Sequence, residues 1–177
     1  MSISKPFNLT KWIKDNRDLL KPPVGNKNLY KDSGDYIVMI VGGPNARKDY
    51  HYNKTEELFY QLEGHIEVHI QEDGEKKTMT LGPGDMYLHP AKVPHSPVRH
   101  KGSIGLVIER KRINLKVKDG LLWYCDQCNH KLHDVYFPLE DIEKDFLRHF
   151  KDFYSNTSLR TCNNCGEVMP VDERFTV

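Results

Sequence analysis

The sequence has almost no net charge and no long apolar run. Lys and Arg total 26 against 25 Asp and Glu in 177 residues, a formal net charge of +1. Nucleic-acid and membrane-surface binders usually carry a one-sided basic field, so this balance argues against both classes. The N-terminus, MSISKPFNLTKW, contains no apolar stretch suited to a signal peptide or a membrane span. We therefore expect a cytoplasmic protein that binds neither nucleic acid nor membranes.

Cysteine is also scarce, and the four cysteines fall into two pairs. Cys125-Asp-Gln-Cys128 and Cys162-Asn-Asn-Cys165 are Cys-x-x-Cys motifs, with Asn129 and Gly166 suited to the tight turn after each pair. Thiols stay reduced in the cytosol, and two such pairs indicate a tetrahedral thiolate site. Four protein ligands leave no open position, so this metal is predicted to be structural. Zinc and iron both suit the pattern, and four free or redox-active thiols are the alternative.

The middle of the chain alternates short strand-like runs with turn signals. Asp73-Gly74 lies between two of these runs and is a strong hairpin signal. The spacing predicts a mainly β fold, an antiparallel sandwich or barrel, with few helices. The predicted strands are Tyr36–Val41, Leu58–Leu62, His65–Ile70, Lys77–Leu81, Met86–Leu88 and Ile104–Glu109.

Two helices are predicted outside this region. The first runs from Leu9 to Leu20, with Asn8 as its N-cap and Pro22-Pro23 after its end. The second, Pro138 to Tyr154, lies between the cysteine pairs, with Pro138 as its first residue and Glu140 and Asp141 at its positive end. Its apolar stripe consists of Leu139, Ile142, Phe146, Phe150 and Phe153.

The chain is predicted to fold as one compact unit with three segments. Residues 1–35 are the N-terminal helix and lead-in, residues 36–115 are the catalytic barrel, and residues 116–177 are the C-terminal segment with the four cysteines.

The strongest catalytic candidates are His51, Glu57 and His95. Two imidazoles and one carboxylate on one side of an ion leave the other side open, which suits a non-haem Fe(II) oxygenase. A single histidine of this kind is more often an ordinary polar residue on a barrel rim, so the prediction depends on the combination of motifs. The spacing around them resembles the cupins: six residues separate Glu57 from Gly64, and Pro83-Gly84-Asp85 precedes His95. The resemblance implies a double-stranded β-helix, or jelly-roll, barrel.

Asn53 stands where many cupins have a further histidine, so three protein ligands are expected. Other polar residues in this region receive structural interpretations. His65, Glu67 and His69 alternate along one strand and could face a metal, but a half-exposed strand is the preferred interpretation. His89 is interpreted as structural, and the basic cluster from Arg110 to Arg112 as a solvated strand end.

Two arginines and one acid are predicted to accompany the metal ligands. Arg47 precedes His51 by four residues and Arg99 follows His95 by four, so in extended chain each points to the same side as its ligand. Glu109 ends an apolar run, where a buried acid needs a partner or a function. Singly, each could form a surface ion pair. Together they favour a small anionic substrate, because the guanidinium fork matches a carboxylate.

The combined motifs resemble the 3-hydroxyanthranilate 3,4-dioxygenase family over almost the whole chain. They are Gly42-Gly-Pro-Asn-Ala-Arg47-Lys-Asp-Tyr-His51-Tyr-Asn53, Glu56-Glu57-Leu-Phe-Tyr-Gln-Leu62, Pro83-Gly-Asp85 and Pro94-His-Ser-Pro-Val-Arg99. The resemblance implies ring cleavage of 3-hydroxyanthranilate by O2, on the kynurenine route to quinolinate and NAD.

Carried over by position, the resemblance assigns each site residue a role. His51, Glu57 and His95 hold Fe(II), and Arg47, Arg99 and Glu109 surround substrate and O2, with Glu57 also near the substrate. Arg99 is expected to bind the substrate carboxylate and Arg47 to face the oxygen. Glu109 is expected to accept a proton or hydrogen bond from the substrate hydroxyl or amine. Independently of the resemblance, the spacing of Cys125, Cys128, Cys162 and Cys165 predicts that they hold a second divalent metal, iron or zinc.

Three alternatives stay open at this point. A cupin isomerase or decarboxylase could use the same ligands, and a non-enzymatic module could use the cysteine tail to dock a partner. A homodimer formed with help from the tail is also open.

Overall fold

The computed structural model describes residues 5–21, 25–45, 47–112, 115–140 and 144–176. Within these ranges the chain has eleven strands and three α-helices. The strands are β1 Asn26–Asn28, β2 Tyr36–Gly42, β3 Tyr50–Tyr52, β4 Glu57–Glu63, β5 Ile66–Glu72, β6 Glu75–Leu81, β7 Met86–His89, β8 His95–Arg99, β9 Ile104–Arg110, β10 Asp119–Tyr124 and β11 Lys131–Phe137. The helices are α1 Leu9–Asp15, α2 Asp145–Ser155 and α3 Thr157–Arg160, with 3₁₀ turns at Arg17–Leu20 and Glu173–Phe175.

The strands form two antiparallel sheets, which confirms the mainly β prediction. One sheet has the order β1-β2-β9-β4-β7 and the other β11-β10-β3-β8-β5-β6. The four-strand sets β2-β9-β4-β7 and β3-β8-β5-β6 are the two layers of a jelly roll, in which two Greek keys wind around one core. β10 and β11 extend the second sheet through β3, so this sheet continues past the residues predicted as the barrel.

The hairpin prediction at Asp73-Gly74 is confirmed. β5 and β6 pair in register up to Glu72 opposite Glu75, and both turn residues have positive φ, 55° and 82°. Two central residues with positive φ form the turn that matches the twist of the flanking strands. β5 also alternates as expected, because Ile66, Val68 and Ile70 are buried while Glu67 and His69 are half-buried.

The barrel core lies between the two sheets. Alternating apolar side chains from both layers meet there, as the period of a half-buried strand requires. Its buried members are Met39, Val41, Phe59, Ile66, Val68, Ile70, Leu81 and Val107. β3 and β8 were not predicted as strands, because they are short and carry the polar residues His51, His95 and Arg99 at core-facing positions.

The N-terminal helix is shorter than predicted. Asn8 caps it as expected, since its side chain accepts a hydrogen bond from the Lys11 N–H. The α-helix ends at Asp15, and a 3₁₀ turn carries the chain on to Leu20. Ile13 and Leu20 pack under the first sheet against Ile40 and Ile104. Pro22-Pro23, predicted to end the helix, lie outside the described residues.

The second predicted helix starts later than expected, and its predicted start at Pro138 is wrong. Residues 138–140 are not helical, and α2 begins at Asp145. Leu139 is buried in the same cluster as Phe146, Phe150 and Phe153, so it contributes to the predicted apolar stripe without being helical. Asp141 and Ile142 lie outside the described residues. Trp123 of β10 stacks on Phe153 at 4.3 Å, which joins α2 to the second sheet.

Candidate active site and metal centre

Three predicted metal ligands meet at one end of the barrel. His51 and His95 are register partners on β3 and β8, and Glu57 opens β4 in the opposite sheet. All three are buried, and one ligand atom from each lies within 4.8 Å of the others. His95 Nε2 lies 3.2 Å from Glu57 Oε2. Two ligands about 2.1 Å from an ion at right angles are about 3.0 Å apart, so this spacing fits a bound ion.

The surroundings leave these ligands able to bind a metal. Over the described part of the chain, Glu57 Oε2 is a buried oxygen without a hydrogen bond. Burial alone would raise the pKa of Glu57, but His95, His51 and Arg112 together lower it, so the carboxylate is ionised. Burial lowers the pKa of His51, which favours the neutral imidazole that metals bind. This donor set is the 2-His-1-carboxylate set typical of non-haem Fe(II).

Asp119 contacts one of the two ring nitrogens of His51. Its Oδ2 lies 2.7 Å from His51 Nε2, which leaves the other ring nitrogen for the metal. Arg112 binds the same carboxylate and also Glu109. The prediction that Arg112 belongs to a solvated strand end is therefore wrong, because its side chain is 2% exposed. Asp119 starts the apolar run of β10, the same signal that identified Glu109, and it could have been found that way.

The predicted substrate residues line the same cavity. Arg47, Arg99 and Glu109 lie around it with His51, Glu57 and His95. Within the described ranges, Arg99 Nη1 and Glu109 Oε1 are buried without hydrogen-bond partners. Buried polar atoms in native proteins are nearly always paired, so both atoms are available to hydrogen-bond a ligand in this cavity. Apolar side chains complete the walls: Met39, Val41, Phe59, Pro97, Val107 and Phe146.

Burial shifts the pKa values of two ionisable residues in the cavity wall, Arg99 and Glu109. It lowers the pKa of Arg99 to about 10, which still leaves a cation at neutral pH. It also raises the pKa of Glu109, with a contribution from neighbouring Glu57 and against the effect of Arg112. Arg47 is more open, with 27% of its side chain exposed. Its guanidinium lies 5.0 Å from the Phe150 ring and 3.3 Å from Asp49.

Asn53 stands at the position where many cupins have a further histidine, and its side chain hydrogen-bonds protein groups. Its side-chain oxygen accepts from Thr55, and its nitrogen donates to Glu109 Oε2 at 3.1 Å. His89 has the structural contacts predicted for it: it hydrogen-bonds the Val93 carbonyl and the Tyr87 hydroxyl, and its ring lies 4.3 Å from that of His95 at a tilt of 54°. Burial lowers the pKa of His89 to about 4.

The alternating residues His65, Glu67 and His69 are not part of this site. Glu67 lies 3.0 Å from His69 and 3.6 Å from His100 on the outer face of the second sheet. Among the described residues, the groups that could hold a metal are the His51–Glu57–His95 set and the four cysteines.

The four cysteines form one cluster, as predicted. Their Sγ atoms all lie within 4.8 Å of one another, and the pairs Cys125–Cys165 and Cys128–Cys162 are 3.6 Å apart. Thiolates about 2.3 Å from a tetrahedral zinc are about 3.8 Å apart, so the cluster fits one ion. Asn129 and Gly166 directly follow the two Cys-x-x-Cys motifs, or knuckles, and have φ values of 57° and 78°, which confirms the turns expected there.

The chain is similar to known dioxygenases. The family model described as 3-hydroxyanthranilic acid dioxygenase matches residues 1–154. A protein of Xanthomonas campestris pv. campestris (strain 8004), named 3-hydroxyanthranilate 3,4-dioxygenase, is 54% identical over 170 residues, which cover 96% of this chain and 95% of that one. One of the same name from Bacillus thuringiensis (strain Al Hakam) is 48% identical over 165 residues, covering 93% and 91%.

Solved structures resemble the chain more distantly. A cupin-2 domain containing protein from Shewanella frigidimarina gives a TM-score of 0.46 at 21% identity, covering 55% of this chain and 91% of that one. Across the described ranges, no helix is both long and apolar enough to cross a bilayer.

Proposed function

Because the chain belongs to the 3-hydroxyanthranilic acid dioxygenase family, we propose that it opens the ring of 3-hydroxyanthranilate with O2 at the His51–Glu57–His95 site. The product is 2-amino-3-carboxymuconate semialdehyde, a precursor of quinolinate and NAD. The observation that carries the proposal is one cavity that contains a three-ligand metal set, a buried arginine and a buried acid.

We propose Fe(II) as the metal of this site. The two imidazoles of His51 and His95 and the Glu57 carboxylate suit ferrous iron and leave one side of the ion free. When bound, the ion would supply adjacent positions for substrate and O2, so that both reactants meet in one place.

Arg99 is proposed to bind the substrate carboxylate. It is 4% exposed, and its Nη1 is one of the buried atoms in the described ranges that lack a partner. A carboxylate accepting two parallel hydrogen bonds from the guanidinium would satisfy that nitrogen and neutralise the buried cation. The apolar walls would then enclose the aromatic ring.

Glu109 is proposed to take a proton or hydrogen bond from the substrate hydroxyl or amine. One of its oxygens, Oε2, is bound by Arg112 and Asn53, while Oε1 is without a partner in the described structure. A base must lie within hydrogen-bonding reach of the proton that it accepts, and Oε1 belongs to a residue in the wall of this cavity.

Arg47 is proposed to face the oxygen side. Phe146 and Phe150 of α2 lie under its guanidinium at 5.6 and 5.0 Å, and Asp49 lies at its Nε. These contacts hold a positive charge at the edge of the cavity, where it would stabilise negative charge that develops on oxygen.

The four-cysteine site is proposed to hold zinc or iron in a structural role, since four thiolates close the coordination sphere. The reduced thiols that it requires suit the cytoplasm, our proposed location.

A homodimer remains a prediction, and the molar mass of the purified protein measured by light scattering would test it.

Replacing Cys165 by serine tests the structural role. We expect one metal fewer per chain and a Tm lower by roughly 4–8 °C, the shift that a loss of about 2 kcal/mol produces at this size. Asn163→Ser, at an exposed position in the same knuckle, is the matched control and should leave both values unchanged. An unchanged metal content in Cys165→Ser would contradict the four-thiolate site.

The reaction is tested by mixing Fe(II)-loaded protein with 3-hydroxyanthranilate in an oxygen electrode. We expect one O2 consumed per substrate, together with the absorbance of the semialdehyde product. Substrate turnover without O2 uptake would instead indicate an isomerase or decarboxylase. Tight binding without turnover would indicate a non-enzymatic module.

A further inference from the structure

A buried cluster of charged side chains lies behind the candidate metal site and joins the two sheets. It contains Glu109 on β9, Arg112 just after β9 and Asp119 on β10, each at most 4% exposed. Glu109 belongs to the five-stranded sheet, and Asp119 belongs to the six-stranded sheet that also carries His51. Buried charges are costly unless they are paired, so the pairing within this cluster determines its geometry.

Asp119 sets the orientation of His51. The Asp119 carboxylate accepts from Arg112 Nε at 3.0 and 3.1 Å and from Arg112 Nη2 at 2.8 Å, which fixes its plane. Its Oδ2 also lies 2.7 Å from His51 Nε2. An ionised carboxylate can only accept, so this ring nitrogen carries the proton, and the opposite nitrogen keeps its lone pair for a metal.

Glu109 is held by the same arginine. Arg112 Nη2 donates to Glu109 Oε2 at 2.6 Å, and Asn53 Nδ2 donates to that oxygen at 3.1 Å. With Oε2 held twice, Oε1 is the oxygen left for the cavity, and it has no partner in the described part of the chain.

The contacts of Arg112 require the fork of an arginine. Its Nε and Nη2 reach Asp119, its Nη2 also reaches Glu109, and its Nη1 donates to the Arg110 carbonyl at 2.6 Å. A lysine has a single nitrogen on a flexible stem, so it cannot place donors at the three positions that Nε, Nη1 and Nη2 occupy here.

We propose that Arg112 is a positioning residue that orients both a metal ligand, His51, and the candidate base, Glu109. Through Asp119 it fixes the nitrogen that His51 offers to the metal, and directly it aims Glu109 at the substrate. The arginine therefore couples metal retention to substrate placement. The inference rests on the proposed function of the His51–Glu57–His95 site.

The test is anaerobic Co(II) titration of the full chain, followed by kinetics with Fe(II). Cobalt at the cysteines gives a sulfur-to-cobalt charge-transfer band that an imidazole and carboxylate site lacks, so the two sites are followed separately. For Arg112→Lys we expect 10–100-fold weaker cobalt binding at the His51 site, the range typical of outer partners of a metal ligand. Even at saturating Fe(II), the kcat of Arg112→Lys should be about tenfold lower than that of the parent, because Glu109 is no longer oriented.

A second variant separates the effect of Arg112 on His51, through Asp119, from its direct effect on Glu109. Asp119→Asn keeps the shape of the side chain but removes the charge opposite His51. It should weaken cobalt binding by a similar factor, while kcat at saturating Fe(II) recovers to within about threefold, because Glu109 keeps Arg112. The matched control is Arg110→Lys, at an exposed position two residues away, which should change neither value more than about twofold.

The outcomes separate this inference from the function on which it rests. If His51→Ala binds cobalt as the parent does, the proposed metal site itself is wrong. If His51→Ala loses that cobalt but Arg112→Lys and Asp119→Asn keep parental affinity and kcat, the positioning role of Arg112 is overturned. Should Arg112→Lys fail to fold, parental cobalt affinity in folded Asp119→Asn overturns it equally.

Discussion

Replacing His51 by alanine is expected to abolish ring cleavage, lowering kcat/KM for 3-hydroxyanthranilate at least about a thousandfold. Loss of an outer partner of a metal ligand typically costs 10–100-fold, and loss of the ligand itself should cost more. Only Glu57 and His95 would remain of the three residues that could hold the ion. Metal analysis should show the catalytic ion lost and the ion of the cysteine site retained.

His65→Ala is the control for this substitution. It also removes an imidazole, but from an exposed residue outside the cavity, and activity should stay within about twofold. Melting curves of both variants show whether the chain still folds. A folded His51→Ala enzyme with activity within tenfold of the parent, or with two metals per chain, would contradict the proposed site.

Replacing Arg99 by alanine is expected to lower kcat/KM by about 30-fold to several thousandfold. Removing one partner of a buried charge pair costs about 2–5 kcal/mol, and about 1.4 kcal/mol corresponds to a factor of ten. The reason is that the substrate carboxylate would enter a buried site without its cation. Arg99→Lys should recover part of the activity, because it restores the charge but not the two parallel hydrogen bonds.

The assignment of Arg99 is sharpened by a substrate without the carboxylate, 2-aminophenol. The parent should use it poorly, and Arg99→Ala should use it no worse than the parent does. Equal losses on both substrates would mean that the substitution damages the site in general. A change of less than about twofold with 3-hydroxyanthranilate would show that the carboxylate binds elsewhere.

The sequence predicted the barrel because alternation of apolar and polar residues is local. β5 and β6 could be located from Ile66, Val68, Ile70 and the Asp73-Gly74 turn alone. β3 and β8 could not, because their polar ligands replace the apolar residues that usually mark the buried face of a strand. The start of α2 was missed because Leu139 is buried in the same core without being helical.

The candidate site was predictable as far as its residues follow motifs. His51, Glu57, His95, Arg47 and Arg99 have spacings along the chain that reveal them, and the structure brings all of them to one cavity. Asp119 carries a local signal, an acid at the start of an apolar run, but its pairing with Arg112 joins two sheets and could not be inferred from the sequence. A basic run such as Arg110 to Arg112 looks like a solvated surface until the fold places an acid on each side of its last member.

The central claim is that one ion, bound on one side by His51, Glu57 and His95, brings an aromatic acid and O2 together at its open positions. Anomalous diffraction at the iron edge tests it most directly, on crystals grown anaerobically with Fe(II) and 3-hydroxyanthranilate. We predict an iron peak at bonding distance from His51, Glu57 and His95, with the substrate carboxylate on Arg99. An empty site between these three side chains, or a substrate bound away from Arg99, would contradict the account.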